Sequence, residues 1–138
     1  MQVCEERLRE LIEARKEEAE RLGIYGMASQ VARRLGKESP KKYGSYWFFC
    51  RGGLKIIWDD YGSNLDIYYK DQQVFCVHLG DIEAYRPDVG EWLERLRRIY
   101  EDEVLPKIEA EEAEKVRELL REAEERWGIK PDEVIAGV

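Results

Sequence analysis

Residues 46–80, YWFFCRGGLKIIWDDYGSNLDIYYKDQQVFCVHLG, decide the fold of this 138-residue chain. Aromatic and β-branched residues recur at alternate positions over 45–51, 54–60, 64–70 and 74–79, which is the spacing of strands. Between the first two runs, Gly52-Gly53 suits a two-residue hairpin loop in which both residues take positive φ. Tyr61-Gly62-Ser63 and Asp71-Gln72-Gln73 supply the next two turns, and Gly80-Asp81 turns the chain into a fifth short run, 82–86. The expectation is an antiparallel β-meander of four or five strands.

Alternation assigns each side chain to a face. Leu54, Ile56 and Trp58 oppose Lys55, Ile57 and Asp59, and Leu65, Ile67 and Tyr69 oppose Asp66, Tyr68 and Lys70, so these two runs are half polar. The first run (Tyr46, Phe48 and Cys50 against Trp47 and Phe49) and the fourth (Val74, Cys76 and His78 against Phe75, Val77 and Leu79) are apolar on both sides. Helices should therefore cover one face fully and the other in part, leaving an aromatic and charged patch. A turn whose paired numbers sum to 125 would oppose Lys55 to Lys70 and Asp59 to Asp66, which like-charge repulsion disfavours. A register two residues away pairs Lys55 with Tyr68 and removes the conflict; a bound group that neutralises the charges would do so too.

Upstream, Cys4, Leu8, Leu11, Ile12, Ala19 and Leu22 step at three and four residues, an amphipathic helix that Gly23 can stop. Ala28, Val31, Ala32 and Leu35 mark a second helix, so the reading is an N-terminal helical hairpin, followed by a polar linker KESPKKYG over 37–44. Downstream, Val89, Trp92, Leu93, Leu96, Ile99 and Tyr100 make a dense helical stripe. Beyond Pro106, Ile108, Ala113, Val116, Leu119, Leu120, Ala123 and Trp127 continue one as far as Gly128. The fold class is α+β: one domain over residues 1–138, with long C-terminal helices packed on the sheet.

Composition bounds the setting. Charged residues make up 38% and hydrophobic ones 43%, with mean hydropathy −0.63, which is globular rather than disordered. There is no apolar signal core and no membrane-length run, so a cytoplasmic location and no membrane partner are expected. Three cysteines without a Cys-x-x-Cys pair argue against a disulfide scaffold or zinc finger and read as reduced, mostly buried thiols. No threonine, one asparagine and 22 glutamates beside 14 arginines and nine lysines favour ion-pair networks and a thermophilic source.

Candidate chemistry is sparse. Cys76 and His78 share a strand face but supply only two of the ligands zinc needs. Asp59, Asp60 and Asp66 with Lys55 and Lys70 are the residue types of a metal-dependent nuclease without its usual spacing, and strand-end charges in a turn are the ordinary reading. No cofactor is expected. Residues 21–58 carry eight basic residues against Glu38 alone, interleaved with Tyr25, Tyr43, Tyr46, Trp47 and Trp58, a surface able to hold phosphates and stack bases. Pairing of that basic segment with the acidic C-terminal helices would explain it equally.

Within the basic segment, SQVARRLGKES (29–39) resembles the first helix and turn of a helix-turn-helix, with Ala32, Leu35 and Gly36 in place. Pro40, Lys41-Lys42 and YWFF then stand where its recognition helix should be. The order of two helices before three strands loosely resembles small ribonuclease toxins, whose amino-terminal strand and basic catalytic set are absent here.

The leading functional expectation is a non-enzymatic interaction or accessory protein. It would act through an aromatic sheet face (Tyr46, Lys55, Trp58, Tyr68, Lys70) or through helix-mediated self-association as a homodimer. The alternative is a nucleic-acid-binding protein using Arg33, Arg34, Lys37, Lys41 and Lys42; a small enzyme such as a nuclease comes third.

Overall fold

A computed structural model describes residues 2–130, and the side chains of these apart from 2–4, 17–19 and 22. Cys4, Ala19 and Leu22 of the expected stripe thus lie outside the described side chains. The chain is α+β in the order α1 (Gln2–Leu35), β1 (Lys37–Pro40), β2 (Ser45–Arg51), β3 (Leu54–Asp59), β4 (Asn64–Tyr69), β5 (Gln72–His78), β6 (Asp81–Tyr85), α2 (Trp92–Ile99), a π-helical turn (Tyr100–Val104) and α3 (Leu105–Trp127). Two compact units divide at Tyr100 and Glu101. Among the described residues no helix is long and apolar enough to cross a membrane.

In the first unit all six strands form one antiparallel sheet in sequence order. Three of its connections are two-residue turns with positive φ at both residues: Gly52-Gly53, Lys70-Asp71 and Leu79-Gly80. That geometry matches the right-handed twist of the strands it joins. β3 and β4 pair with Lys55 opposite Tyr68 and Ile57 opposite Asp66, the register that keeps like charges apart. The strand the sequence left as linker is β1, a four-residue edge strand, fully exposed. Its Lys37 and Pro40 are residues that discourage further strand addition at an edge.

Phe49, Ile56, Ile67 and Phe75 stand directly opposite one another across four strands, each no more than 5% exposed. A bulge in β5 puts one extra residue between Gln73 and Phe75, and both Val74 and Phe75 are fully buried. That irregularity is why β5 reads as apolar on both sides. Ile24, Ala28, Val31 and Ala32 of α1 are fully buried, and Trp58 Nε1 donates to Tyr25 Oη at 2.9 Å, which fixes the helix on the face carrying Trp58. α2 joins it there: Trp92 is buried 6.4 Å from Phe75, its Nε1 donating to the Arg86 carbonyl at 2.7 Å.

The expected helical hairpin is instead one 34-residue helix running through Gly23 and Gly26. Two helical glycines cost about 1 kcal/mol each relative to alanine. Full burial of Ile24 alone contributes about 1.5–3 kcal/mol, and the helix must hold its phase from Ile24 to Val31 for both to reach the sheet. Further along, Pro106 cannot donate to the carbonyl one turn back, and the chain widens into the π-helical turn immediately before α3. α3 closes on Gly128 in the left-handed conformation, with Gly128 N bonding the Glu124 carbonyl at 3.0 Å. None of the residues of α3 is buried: Val116, Leu119 and Trp127 are 54%, 65% and 74% exposed.

Glycine identity matters unevenly in this frame. A Cβ at Gly23 or Gly26 would meet nothing within 4 Å, whereas at Gly36 it would overlap the backbone oxygens of Ala32 and Phe48. Gly23→Ala and Gly26→Ala are each expected to stabilise by about 0.5–1 kcal/mol, and Gly36→Ala to destabilise by about 1–3 kcal/mol. Denaturant midpoints check the pair; equal effects at all three positions would contradict a continuous α1 seated at Gly36.

Candidate functional site

The face of the sheet opposite α1 is read from the register. One row across it runs Lys37, Phe48, Ile57, Asp66, Cys76 and Ala84, basic at the β1 side and acidic toward β4. A neighbouring row holds Lys55 opposite Tyr68, and Tyr46 stands opposite Asp59 on the other flank. Tyr46 and Phe48 are 39% and 44% exposed, with ring centroids 6.2 Å apart. We call this the open face.

At the end of the sheet where the β1–β2 and β3–β4 turns meet, Tyr43 and Tyr61 stack at 5.6 Å between centroids and are 58% and 70% exposed. Two carboxylates hold those turns. Asp59 Oδ1 accepts from the amides of Tyr61 and Gly62 at 3.1 and 3.2 Å and takes the Lys41 ammonium at 2.7 Å. Asp60 turns the other way, its Oδ1 accepting from Ser45 N at 2.7 Å and its Oδ2 from Trp47 Nε1 at 3.0 Å. A Cβ on Gly44, whose φ is +74°, would collide with the Asp60 carboxylate and Tyr61. Glycine is therefore required where the two turns press together.

Lysines sit over these rings. Lys41 Nζ lies 4.4 Å from the centroid of Tyr46, and Lys42 Nζ lies 5.4 Å from that of Tyr43. Exposed Lys55 reaches Asp71 at 3.4 Å across a solvated gap, a pair that contributes little. Of the five residues first expected on the patch, Tyr46, Lys55 and Tyr68 share the open face. Trp58 belongs to the covered face because it is one residue out of phase with Lys55 and Ile57. Lys70 sits in the β4–β5 turn with its Nζ 5.3 Å over Tyr69, a covered-face ring.

The basic set also divides. Lys37, Lys41 and Lys42 flank the open face, while Arg33 and Arg34 ride on α1 behind the sheet, Arg34 Nε donating to Gln30 Oε1 at 3.0 Å. The residues resembling a helix-turn-helix are the last turns of α1 followed by strand β1, so no recognition helix follows Gly36. Phe48 and Tyr61 were missed as site residues, and Tyr43 was read only as one of the aromatics interleaved in the basic segment. The alternation of β2 could have flagged Phe48, and the repeated Tyr-Gly of two turns could have flagged the other two.

The remaining chemistry is spread out. Asp59 shares the open face with Asp66, but its Oδ1 is held by Lys41 and the turn amides, and Asp60 turns to the other side; no group of three possible metal ligands converges among the described residues. Cys76 is buried, and burial followed by the neighbouring Asp66 carboxylate pushes its thiol up to about 12, far from a thiolate nucleophile. Cys50 is exposed and Cys76 buried, where the thiols were expected to be mostly buried; the Cys4 side chain lies outside the described ones. His78 is exposed at the end of β5 opposite Asp81. In a cleft lined by Arg51, Arg95, Arg98, Glu91 and Glu94, Arg98 pairs with Glu94 at 2.9 Å and Arg95 donates to the Gly52 carbonyl. No protein-family model matches the chain, and no curated protein or solved structure shows significant similarity to it.

The turn carboxylates make a pH test. The Lys41 hydrogen bond and the turn amides hold Asp59 below the ordinary carboxylate range, burial opposing them. Bonds from Ser45 N and Trp47 Nε1 do the same for Asp60. A lowered folded value means a contribution complete above the unfolded value of about 3.9 and lost as pH falls through the folded one. The gap in thermal midpoint between wild type and Asp60→Asn is expected to be constant above about pH 5 and to close below about pH 4. A gap that ignores pH would mean that charge on Asp60 is not what holds the turns.

Proposed function

We propose that this chain is a non-catalytic binding protein that engages its partner on the open face of the sheet, around Tyr46, Phe48, Lys55 and Tyr68 and the Tyr43–Tyr61 stack. The observation that carries this is the exposure of four aromatic side chains at 39–70%, grouped as two ring pairs, with a lysine ammonium over a ring of each pair. Isolated exposed apolar residues are ordinary, but grouped aromatics rimmed by charge are the composition of contact surfaces. Burial of aromatics such as these on a partner is what concentrates binding energy at an interface centre.

A photo-reactive benzoylphenylalanine placed at position 48, with a control at position 118 on the side of α3 away from its apolar seam, tests the reading in cells of the source. Position 48 is expected to give a defined adduct that disappears when Tyr46→Ala and Lys55→Glu are added, while the folding free energy changes by less than about 1 kcal/mol. Adducts no different from those at position 118 would defeat the proposal.

Self-association through α3 is the second reading. Ala113, Val116, Leu120, Ala123 and Trp127 recur at alternating three- and four-residue steps, a coiled-coil seam, and Val116 and Trp127 are more than half exposed. In a parallel pair, Glu112 of one copy would flank Arg117 of the other. Light scattering after size exclusion is expected to give a dimer mass for wild type and a monomer for Val116→Glu/Leu120→Glu; a wild-type monomer removes this reading.

A further inference from the structure

Resting on the open-face reading, we infer that the partner is a single-stranded nucleic acid, laid along the β1–β2 side of the face with its bases on the two aromatic pairs and its phosphates on lysines.

Charge placement is the first argument. The net charge of −7 resides wholly in residues 101–138, which hold 13 acidic residues against six basic; residues 1–100 hold 17 of each and are neutral. Within the first unit the open face is itself polarised. Lys37 is opposite Phe48 at the β1 edge, and Lys42 and Lys55 are exposed; Asp59, opposite Tyr46, is neutralised by Lys41 at 2.7 Å, and Asp66 lies farther across toward β5. An anion drawn to this face is steered onto its aromatic side.

Ring geometry is the second argument. Tyr43 and Tyr61 present an outer stack 28° from parallel, and Tyr46 and Phe48 a second pair tilted by 39°. Bases stack on such rings whatever their identity, because each has a π-face, and ammonium groups over the rings meet the backbone that follows. A duplex keeps its bases stacked inside and cannot use these surfaces. A protein partner would use the same rings but would not need the concentration of unlike charge at one border. Lys41 is committed to Asp59 at 2.7 Å and acts as a positioning residue for Tyr46, leaving Lys37 and Lys42 for phosphates, together with Lys55 once it exchanges its exposed 3.4 Å pairing with Asp71.

Fluorescence anisotropy with labelled mixed-sequence oligomers of about 12 nucleotides, as single-stranded DNA, single-stranded RNA and DNA duplex, tests this on the full chain. Single strands are expected to bind, and duplex at least about tenfold more weakly. Three lysine contacts predict a log–log salt slope of about −2. Tyr46→Ala and Tyr61→Ala should each weaken binding on the order of tenfold, Lys42→Glu should make the slope shallower by about 0.7, and Glu118→Ala should do neither. Circular dichroism identifies any variant that fails to fold; Tyr61→Phe then serves in its place and should bind as wild type. The RNA and DNA arms distinguish the two sources of the same chemistry. No binding at about 50 mM salt, or binding that is equal for duplex or indifferent to the aromatic variants, overturns the inference. If position 48 meanwhile crosslinks to a protein, the ligand assignment falls while the docking face stands; if it crosslinks to nothing, both fall.

Discussion

The line of contact from Phe49 through Ile56 and Ile67 to Phe75 is the constraint on which the rest of the first unit depends. These four side chains come from four strands yet stand in one row, a pairing that the three turns between them, two of which are two-residue loops, allow. Strand side chains alternate with a period of two, so a slip of one residue in any pairing would carry a whole strand's apolar set to the other side. Each buried member contributes about 1.5–3 kcal/mol through the water it excludes, which is far more than the turns themselves can supply. Register is therefore enforced by the core, and the turns need only permit it. Lys70, Asp71 and Leu79 show this, because they accept left-handed backbone without being glycine.

The open face inherits its order from that same row. Once Phe49 and Ile56 are fixed inward, Phe48 and Ile57 have no choice but to face outward, and Lys37 follows through its pairing with Phe48. The arrangement of the candidate site is in this sense a consequence of core packing. What the core does not dictate is the chemical identity of the outward residues. On that surface the sequence places tyrosine, phenylalanine and lysine at the β1–β2 side and Asp66 nearer the centre. A solubility requirement alone would be met by small polar residues in all of these places.

How much of this was legible in the amino-acid order varies with the physics involved. Strands β2 to β6 were visible because alternation and glycine turns are local signals, and the β3–β4 register followed from charge repulsion. The bulge at Val74 was not visible, since one inserted residue leaves the composition of a strand unchanged. Gly23 misled for a similar reason. A glycine is a helix stop only where nothing holds the residues beyond it, and Ile24, Ala28 and Val31 are held by a sheet that lies later in the chain. Strand β1 has no apolar residue and exists only because β2 offers it an edge. Trp58 was grouped with Lys55 by chemical type although the period-two rule separates them. The Tyr43–Tyr61 stack joins residues 18 positions apart through Asp59 and Asp60, a long-range staple that local pattern does not reveal.

That staple bears on function as well as on shape. Loop aromatics in water ordinarily sample several rotamers, and a partner that orders them must offset about 0.5–1.5 kcal/mol for each side chain it immobilises. Here the Asp59 carboxylate gathers two turn amides and the Lys41 ammonium, Asp60 ties Ser45 and Trp47 from the other side, and Gly44 lets Tyr61 approach. Tyr43 and Tyr61 stack on each other and Lys42 lies over Tyr43, so part of the ordering that a partner would require is already present. The two carboxylates that close the turns thus also limit where the Tyr43 and Tyr61 rings can go, because both rings are carried on the backbone those carboxylates hold.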